Sequence, residues 1–188
     1  MNPSGPLRKE HRLIEKLLTL IYHETLLMKK QKRVNPVFID TAVDFIKIYA
    51  DRTHHGKEEQ ILFETLKERK LKEEDRLMME ELIKDHVTAR QITEQLFEYK
   101  NKYVLGDHDY LQRIVEKMDE LGSIYPAHIW KEENSFFPAA LTYLNESEQQ
   151  DMIGQFWDFD KNMIHIKYTQ VITRLKETSQ ADTGEYGY

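Results

Sequence analysis

The sequence predicts an all-α protein: an up-down-up-down four-helix bundle with an additional C-terminal fifth helix. Three observations predict it. Five long amphipathic segments carry apolar residues at spacings of three and four. Only short polar breaks separate them, so consecutive helices must run antiparallel. The 188 residues include just 7 Gly and 5 Pro, too few breakers for the many turns of an all-β fold. This length fits one domain, and such a domain can bury a core without cross-links.

The first helix spans about residues 7–32, with Ile14, Leu17, Leu18, Ile21 and Thr25 on its inner face. Asn35 and Pro36 then read as an N-cap followed by the first helical position. The second helix runs to about residue 69, led by Phe38, Ala42, Phe45, Ile46 and Tyr49. Residues 70–73 connect it to a third helix over 74–105, which Gly106 stops. The fourth helix covers about 110–143, with Ile114, Met118, Leu121, Tyr125, His128 and Glu132 along one stripe. Pro126 predicts a kink inside it, and Pro138 a second bend or an end. Asn145 and Glu148 resemble a capping box that opens a fifth helix over about 147–177. Residues 1–178 thus read as one bundle with its four-helix core at 7–143, and 179–188 as a disordered polar tail.

Composition narrows the function. The net charge is −6, which disfavours a general binder of nucleic acid or anionic membranes. The chain has no apolar run of about 20 residues, the length of a membrane span, and its first residues lack the apolar segment of a signal peptide. A cytoplasmic protein is the expectation. Without any Cys, thiolate metal sites, the usual iron–sulfur clusters and a cysteine nucleophile are excluded. The 8 His remain to be explained.

Two segments repeat. HHGKEEQILF at 54–63 aligns without gaps to HIWKEENSFF at 128–137, an offset of 74 residues with five of ten positions identical. His11 and His86, each preceded by an acid (Glu10, Asp85), stand at an offset of 75. The chain reads as a duplicated helical hairpin, each half offering one His on its first helix and a His-x-x-x-Glu on its second. Residues i and i+4 lie about 40° apart around a helix and about 6 Å along it, so both can reach one metal pair. The midpoints between His11 and the 54/58 pair, between that pair and His86, and between His86 and the 128/132 pair all fall within the interhelical breaks. His11, His54, Glu58, His86, His128 and Glu132 therefore belong to one layer of the bundle. Such a buried layer must be satisfied, either by an internal hydrogen-bonded network or by metal. A dinuclear metal site is the better fit, since imidazoles and shared carboxylates suit Fe, Mn or Zn. Glu58 and Glu132 can each bridge two ions, with His11 and His54 completing one and His86 and His128 the other.

The pattern His…His-x-x-x-Glu…His…His-x-x-x-Glu resembles the hemerythrin-like (HHE cation-binding) family, over about residues 7–143. The Lys-Glu-Glu run and downstream Phe after both motif histidines strengthen the likeness. The resemblance implies two Fe ions, oxo- or hydroxo-bridged, in a non-haem centre that meets O₂, NO or peroxide. The oxygen carriers of the family have a second His one turn after the helix-three His, where this chain has Arg90, and space the helix-four pair as His-x-x-x-x-Asp rather than His128-x-x-x-Glu132. Reversible O₂ transport is accordingly not carried over. Sensing, binding or stress response stays open beside three alternatives: peroxide-consuming activity, iron-cluster repair and a Zn-filled interaction module. Repair proteins sharing this domain usually carry a Cys-containing module, and this chain has no Cys.

Several further residues are candidates to support the site. Glu15 and Arg90, one turn past His11 and His86, either form an ion pair over it or face solvent. Tyr125, one turn before His128, either hydrogen-bonds a ligand or is a core aromatic. His55 with Glu59 offers an alternative register to His54 with Glu58. Glu59 and Glu133 lie about 100° from the inner stripe and read as supporting or, preferably, surface acids. His165 falls at the depth of the layer on the fifth helix, as a ligand or gate or merely beside the apolar stripe that Ile164 fits better. His23 and His108 read as surface residues. No protein partner can be named from these features.

Overall fold

In the computed structural model, which describes residues 2–160, 167–173 and 175–176, the regular elements among those residues are all helical. Helix α1 (Ser4–Gln31) is amphipathic and ends where Lys32 turns left-handed at φ 54°, its N–H bonding the Met28 carbonyl. Lys29 and Lys30 in its last turn complement the negative end of the helix dipole. Asn35 then caps the next helix by accepting from the Phe38 N–H at 3.2 Å, with Pro36 at the first position. Both features follow the sequence expectation.

The second rod is not a uniform α-helix. It begins as α2 (Pro36–Phe45), widens into π-helical turns over Ile46–His55 and again over Glu58–Phe63, and closes as α3 (Glu64–Lys67). The Thr53 hydroxyl bonds the Ile48 carbonyl five residues back. After a short connection α4 (Glu73–Val104) forms the third rod, its first turn carrying Glu73, Glu74 and Asp75. Gly106, at φ 103°, follows its C-cap as a residue free of the Cβ clash. The fourth rod is α5 (Tyr110–Lys131), a π turn over Glu132–Phe136 and α6 (Phe137–Leu141).

The π segments over Glu58–Phe63 and Glu132–Phe136 fall at the repeated motif, one in each rod, whereas Ile46–His55 lies mostly before it and has no counterpart in the fourth rod. Pro138 sits in the first turn of α6, and the wide turn before it receives a residue that lacks an N–H. Since the same turn forms in rod two, where Glu64 stands in the repeat position, the proline is accommodated by the turn rather than causing it. Pro138 neither ends the helix nor isolates α6. Pro126 lies inside α5, which stays α-helical from Tyr110 to Lys131.

The rods pack in a ring in which α5 contacts α1 and α4, and rod two contacts α4 and α1. Their apolar faces form two separate clusters. The larger holds Leu17, Ile21, Phe45, Leu96, Met118 and Leu121 among others, and the smaller holds Leu7, Phe63, Leu66, Leu82 and Phe136. Between these clusters lies the layer that carries His11, His54, Glu58, His86, His128 and Glu132.

Helix α7 (Glu146–Phe159) starts with the expected capping box. Asn145 accepts from the Glu148 N–H at 3.0 Å, and Glu148 accepts from the Asn145 N–H at 2.9 Å. The expected single helix to about residue 177 is interrupted. Asp160 leaves the helical conformation, and the described residues 167–173 and 175–176 are helical again. At the interruption Asp160 meets the Lys57 ammonium at 3.2 Å, so a tertiary ion pair is made where local helix would otherwise continue. Met152 and Phe156 join the smaller cluster, and Tyr168, Ile172 and Leu175 the larger. The expected tail at 179–188 and the candidate His165 lie outside the described residues. Among those residues no helix is long and apolar enough to cross a membrane.

Candidate metal centre

One residue or one pair comes from each rod: His11 from α1, His54 and Glu58 from rod two, His86 from α4, and His128 and Glu132 from rod four. All six are buried, none more than 3% exposed. Their ligand atoms form two four-residue groups, His11/His54/Glu58/Glu132 and His86/His128/Glu58/Glu132, each with its atoms within 4.8 Å of one another. Both carboxylates belong to both groups.

The contacts inside the layer are close. His11 Nε2 lies 2.9 Å from His54 Nε2 and 3.1 Å from Glu132 Oε2. His86 Nε2 lies 3.1 Å from His128 Nε2 and 3.5 Å from Glu58 Oε2. His128 Nε2 is 3.0 Å from Glu132 Oε1, and His54 Nε2 is 3.6 Å from Glu58 Oε1. None of the four carboxylate oxygens nevertheless has a properly directed hydrogen bond.

A ring of acids surrounds this layer. Glu133 accepts from His11 Nδ1 at 2.8 Å, Glu10 from His54 Nδ1 at 2.8 Å, Glu59 from His86 Nδ1 at 2.7 Å and Asp85 from His128 Nδ1 at 3.4 Å. Each acid holds its imidazole by Nδ1 and so directs Nε2 inward, the orientation of carboxylate–histidine–metal triads. Facing Nε2 atoms 2.9 and 3.1 Å apart are held together either by a shared proton or by a cation between the rings. The facing Nε2 pairs and the four unbonded carboxylate oxygens thus make a donor set able to hold metal, in two groups that have both carboxylates in common.

The electrostatics follow from burial and crowding. Burial, reinforced by the Glu132 charge, pushes Glu58 well above the usual carboxylate range. Burial acts the same way on Glu132 but is outweighed by His128, His11 and His86, which hold it well below. Burial lowers His54 to about 4 in spite of Glu10. At His128 burial also lowers the pKa, yet Glu132 and Asp85 prevail and raise it to about 9.

Glu59 and Glu133 are therefore supporting acids and not the surface acids preferred from sequence. A position about 100° from the inner stripe of a bundle helix faces the neighbouring helix before it faces water. The alternative register of His55 with Glu59 does not form, since Glu59 binds His86 and His55 Nδ1 lies 3.4 Å from Asp51. Of the two alternatives for Glu15 and Arg90, the ion pair over the site does not form. Arg90 is held by Asp51 at 2.6 Å and Glu59 at 2.7 Å, while Glu15 pairs with Arg12 at 2.9 Å on the exposed face of α1. Tyr125 is buried, its hydroxyl without a hydrogen-bond partner, and its ring stacks near His55 at 6.2 Å. His23 and His108 are exposed.

Sequence reasoning assigned no role to Glu10, Asp85, Lys57 or Lys131. The signal was present: the acids precede the lone histidines in both halves, and the lysines precede both bridging-position glutamates. In the fold Lys57 donates to Glu10, and Lys131 donates to Asp85 at 2.6 Å. Each lysine backs the acid that orients the histidine three residues before it, which gives the site the pseudo-twofold symmetry of the duplication.

The family profile of the hemerythrin HHE cation-binding domain matches residues 2–140. Neither a curated protein nor a solved structure gives a significant match.

Proposed function

The chain belongs to the hemerythrin HHE cation-binding family, and on that premise we propose that it is a non-haem di-iron protein whose centre meets O₂, NO or peroxide in sensing, binding or a stress response. One observation carries the proposal: two donor groups that share Glu58 and Glu132 and whose facing Nε2 atoms lie 2.9 and 3.1 Å apart. His11 and His54 would hold one ion, His86 and His128 the other, with both carboxylates between them. Iron held by these residues would supply one-electron redox chemistry and a place for a small ligand. The protein's part is to orient four imidazoles through Glu133, Glu10, Glu59 and Asp85, and to exclude bulk water by the apolar clusters above and below. A cytoplasmic setting, with no nucleic-acid or membrane partner, belongs to the same reading and accords with the net charge of −6.

Elemental analysis of the native protein tests the metal, and two Fe per chain is the expected result. Two Zn would leave an interaction module in its place. The second measurement is the near-ultraviolet and visible spectrum of the iron-loaded protein through anaerobic reduction and O₂ addition. Bands that do not change rule out the O₂-reactive reading, and turnover of H₂O₂ by the same sample separates an enzyme from a sensor.

A further inference from the structure

Away from the histidine layer, where the 68–72 connection joins rod two to α4, a furrow opens between the two. Its outer part is a pocket of about 370 Å³, within the size range of small-molecule sites. Four cations line it, Lys67, Arg69, Lys70 and Arg76, against one acid, Glu80. Glu64, Glu73 and Glu148 hold Lys67, Arg76 and Arg69 from outside this lining, Lys67 at 2.6 Å and Arg76 at 2.5 Å. Arg69 keeps a buried Nε that has no acceptor. Lys70 is exposed and forms no ion pair among the described residues. The floor of the pocket is apolar, built from Leu71, Met79 and Ile83. Lys67 and Ile83 also line a second pocket of about 420 Å³, which continues the furrow over Phe63. The acids of that part are Glu59 and Glu64, so positive charge gathers at one end of the furrow and negative charge at the other.

We propose that this furrow binds an amphipathic carboxylate of the fatty-acid class, its head at Arg69, Lys70 and Arg76 and its chain over Met79, Ile83 and Phe63. Charge sets the orientation, since a carboxylate is drawn to the cationic end and repelled by Glu59 and Glu64. Arginine presents a planar fork of N–H donors that matches a carboxylate, and Arg69 Nε is a donor that the protein itself leaves unanswered. Exposed charge pairs alone bind weakly, so the apolar floor supplies what a bare anion lacks. Arg76 and Ile83 mark the two parts of the furrow on α4. They stand about 10 Å apart along the helix axis, a span that suits a chain of about eight to ten carbons. The furrow needs no metal in the bundle to act in this way.

The test is isothermal titration calorimetry of the protein as isolated with hexanoate, octanoate and decanoate, each below its micelle concentration. Acetate and inorganic phosphate serve as heads without chains. One saturable site is expected, tightening about two- to fourfold for each added methylene. Acetate and phosphate are expected to bind more weakly than decanoate by about tenfold or more. Amide chemical shifts in the decanoate complex should centre on residues 63–71 and 76–83. Lys70→Glu and Arg69→Gln should each weaken decanoate binding by about tenfold or more. Lys30→Glu, at an exposed lysine in the last turn of α1, should leave it unchanged. Circular dichroism establishes that each variant is folded, and Lys70→Glu, which breaks no ion pair, keeps the test open if Arg69→Gln does not fold. Acetate or phosphate bound as tightly as decanoate marks a site for bare anions and overturns the proposal. Absence of saturable binding, shifts centred elsewhere, or undiminished binding in the folded variants overturns it equally.

Discussion

Glu10 joins two residues that the sequence separates by three positions: one carboxylate oxygen accepts from His54 Nδ1 at 2.8 Å and the other from the Lys57 ammonium. Lys57 also meets Asp160 at 3.2 Å, at the end of α7. A buried chain of charged groups thus runs from the added helix to the imidazole of the centre. Glu10→Gln keeps the volume but removes the charge that orients His54. Metal affinity is expected to fall about 10–100-fold. Competition against a chromophoric chelator measures it, and an affinity equal to wild type would show that Glu10 does not orient the site.

Lys57 and Lys131 provide a comparison built into the repeat. Lys57 is wholly buried between Glu10 and Asp160, whereas the Lys131 side chain is 24% exposed and pairs with Glu81 and Asp85 near the surface. Removing a buried charge strands its partners, so Lys57→Met is expected to cost about 3–5 kcal/mol. Lys131→Met breaks a partly solvated pair and is expected to cost below about 1 kcal/mol. Denaturant unfolding of both variants measures the difference, and equal costs would refute the asymmetry.

Much of this arrangement was legible in the sequence because helices make depth computable. The offset between the two His-x-x-x-Glu motifs, together with the loop positions, placed six residues in one layer, and the fold brings those six together. What escaped is information about the angle around each rod. Glu59 and Glu133 were read toward solvent because a helical wheel knows its own core and not the flank of the neighbouring helix. Depth alone offers Arg90 either Glu15 or solvent, while its actual partners Asp51 and Glu59 sit on the adjacent rod. The π turns at 46–55, 58–63 and 132–136 leave no mark in a 3.6-residue pattern, and the interruption at Asp160 depends on a lysine a hundred residues away.

Metal removal should expose the cost of the layer. Without ions, Glu58 and Glu132 crowd each other among unbonded buried oxygens. The chelated protein is therefore expected to melt well below the loaded one. A ligand at roughly 100 times its Kd stabilises by about 2.7 kcal/mol for each site. Glu58→Gln removes one of the two crowded acids, so the metal-free variant should be no less stable than metal-free wild type. The same variant should lose most of the stabilisation on adding metal. Differential scanning calorimetry of four samples, each protein with and without metal, decides. A variant still stabilised as strongly as wild type would remove Glu58 from the donor set.

Gly56 lies between His55 and Lys57, and a Cβ there would stand 2.9 Å from Phe159 Cε1. The last turn of α7 packs directly on backbone that a side chain would fill. In a helix interior, Gly→Ala ordinarily stabilises by about 1 kcal/mol, but overpacking costs about 1–3 kcal/mol. The sign at this position therefore depends on the Phe159 ring. Gly56→Ala alone is expected to destabilise. In a Phe159→Ala background the clash is gone, and the same substitution should recover the helical gain and stabilise. A double-mutant cycle in urea measures the coupling. Additive effects in that cycle would mean that α7 does not press on the rod at Gly56, and that this contact does not couple the added helix to the histidines beside it.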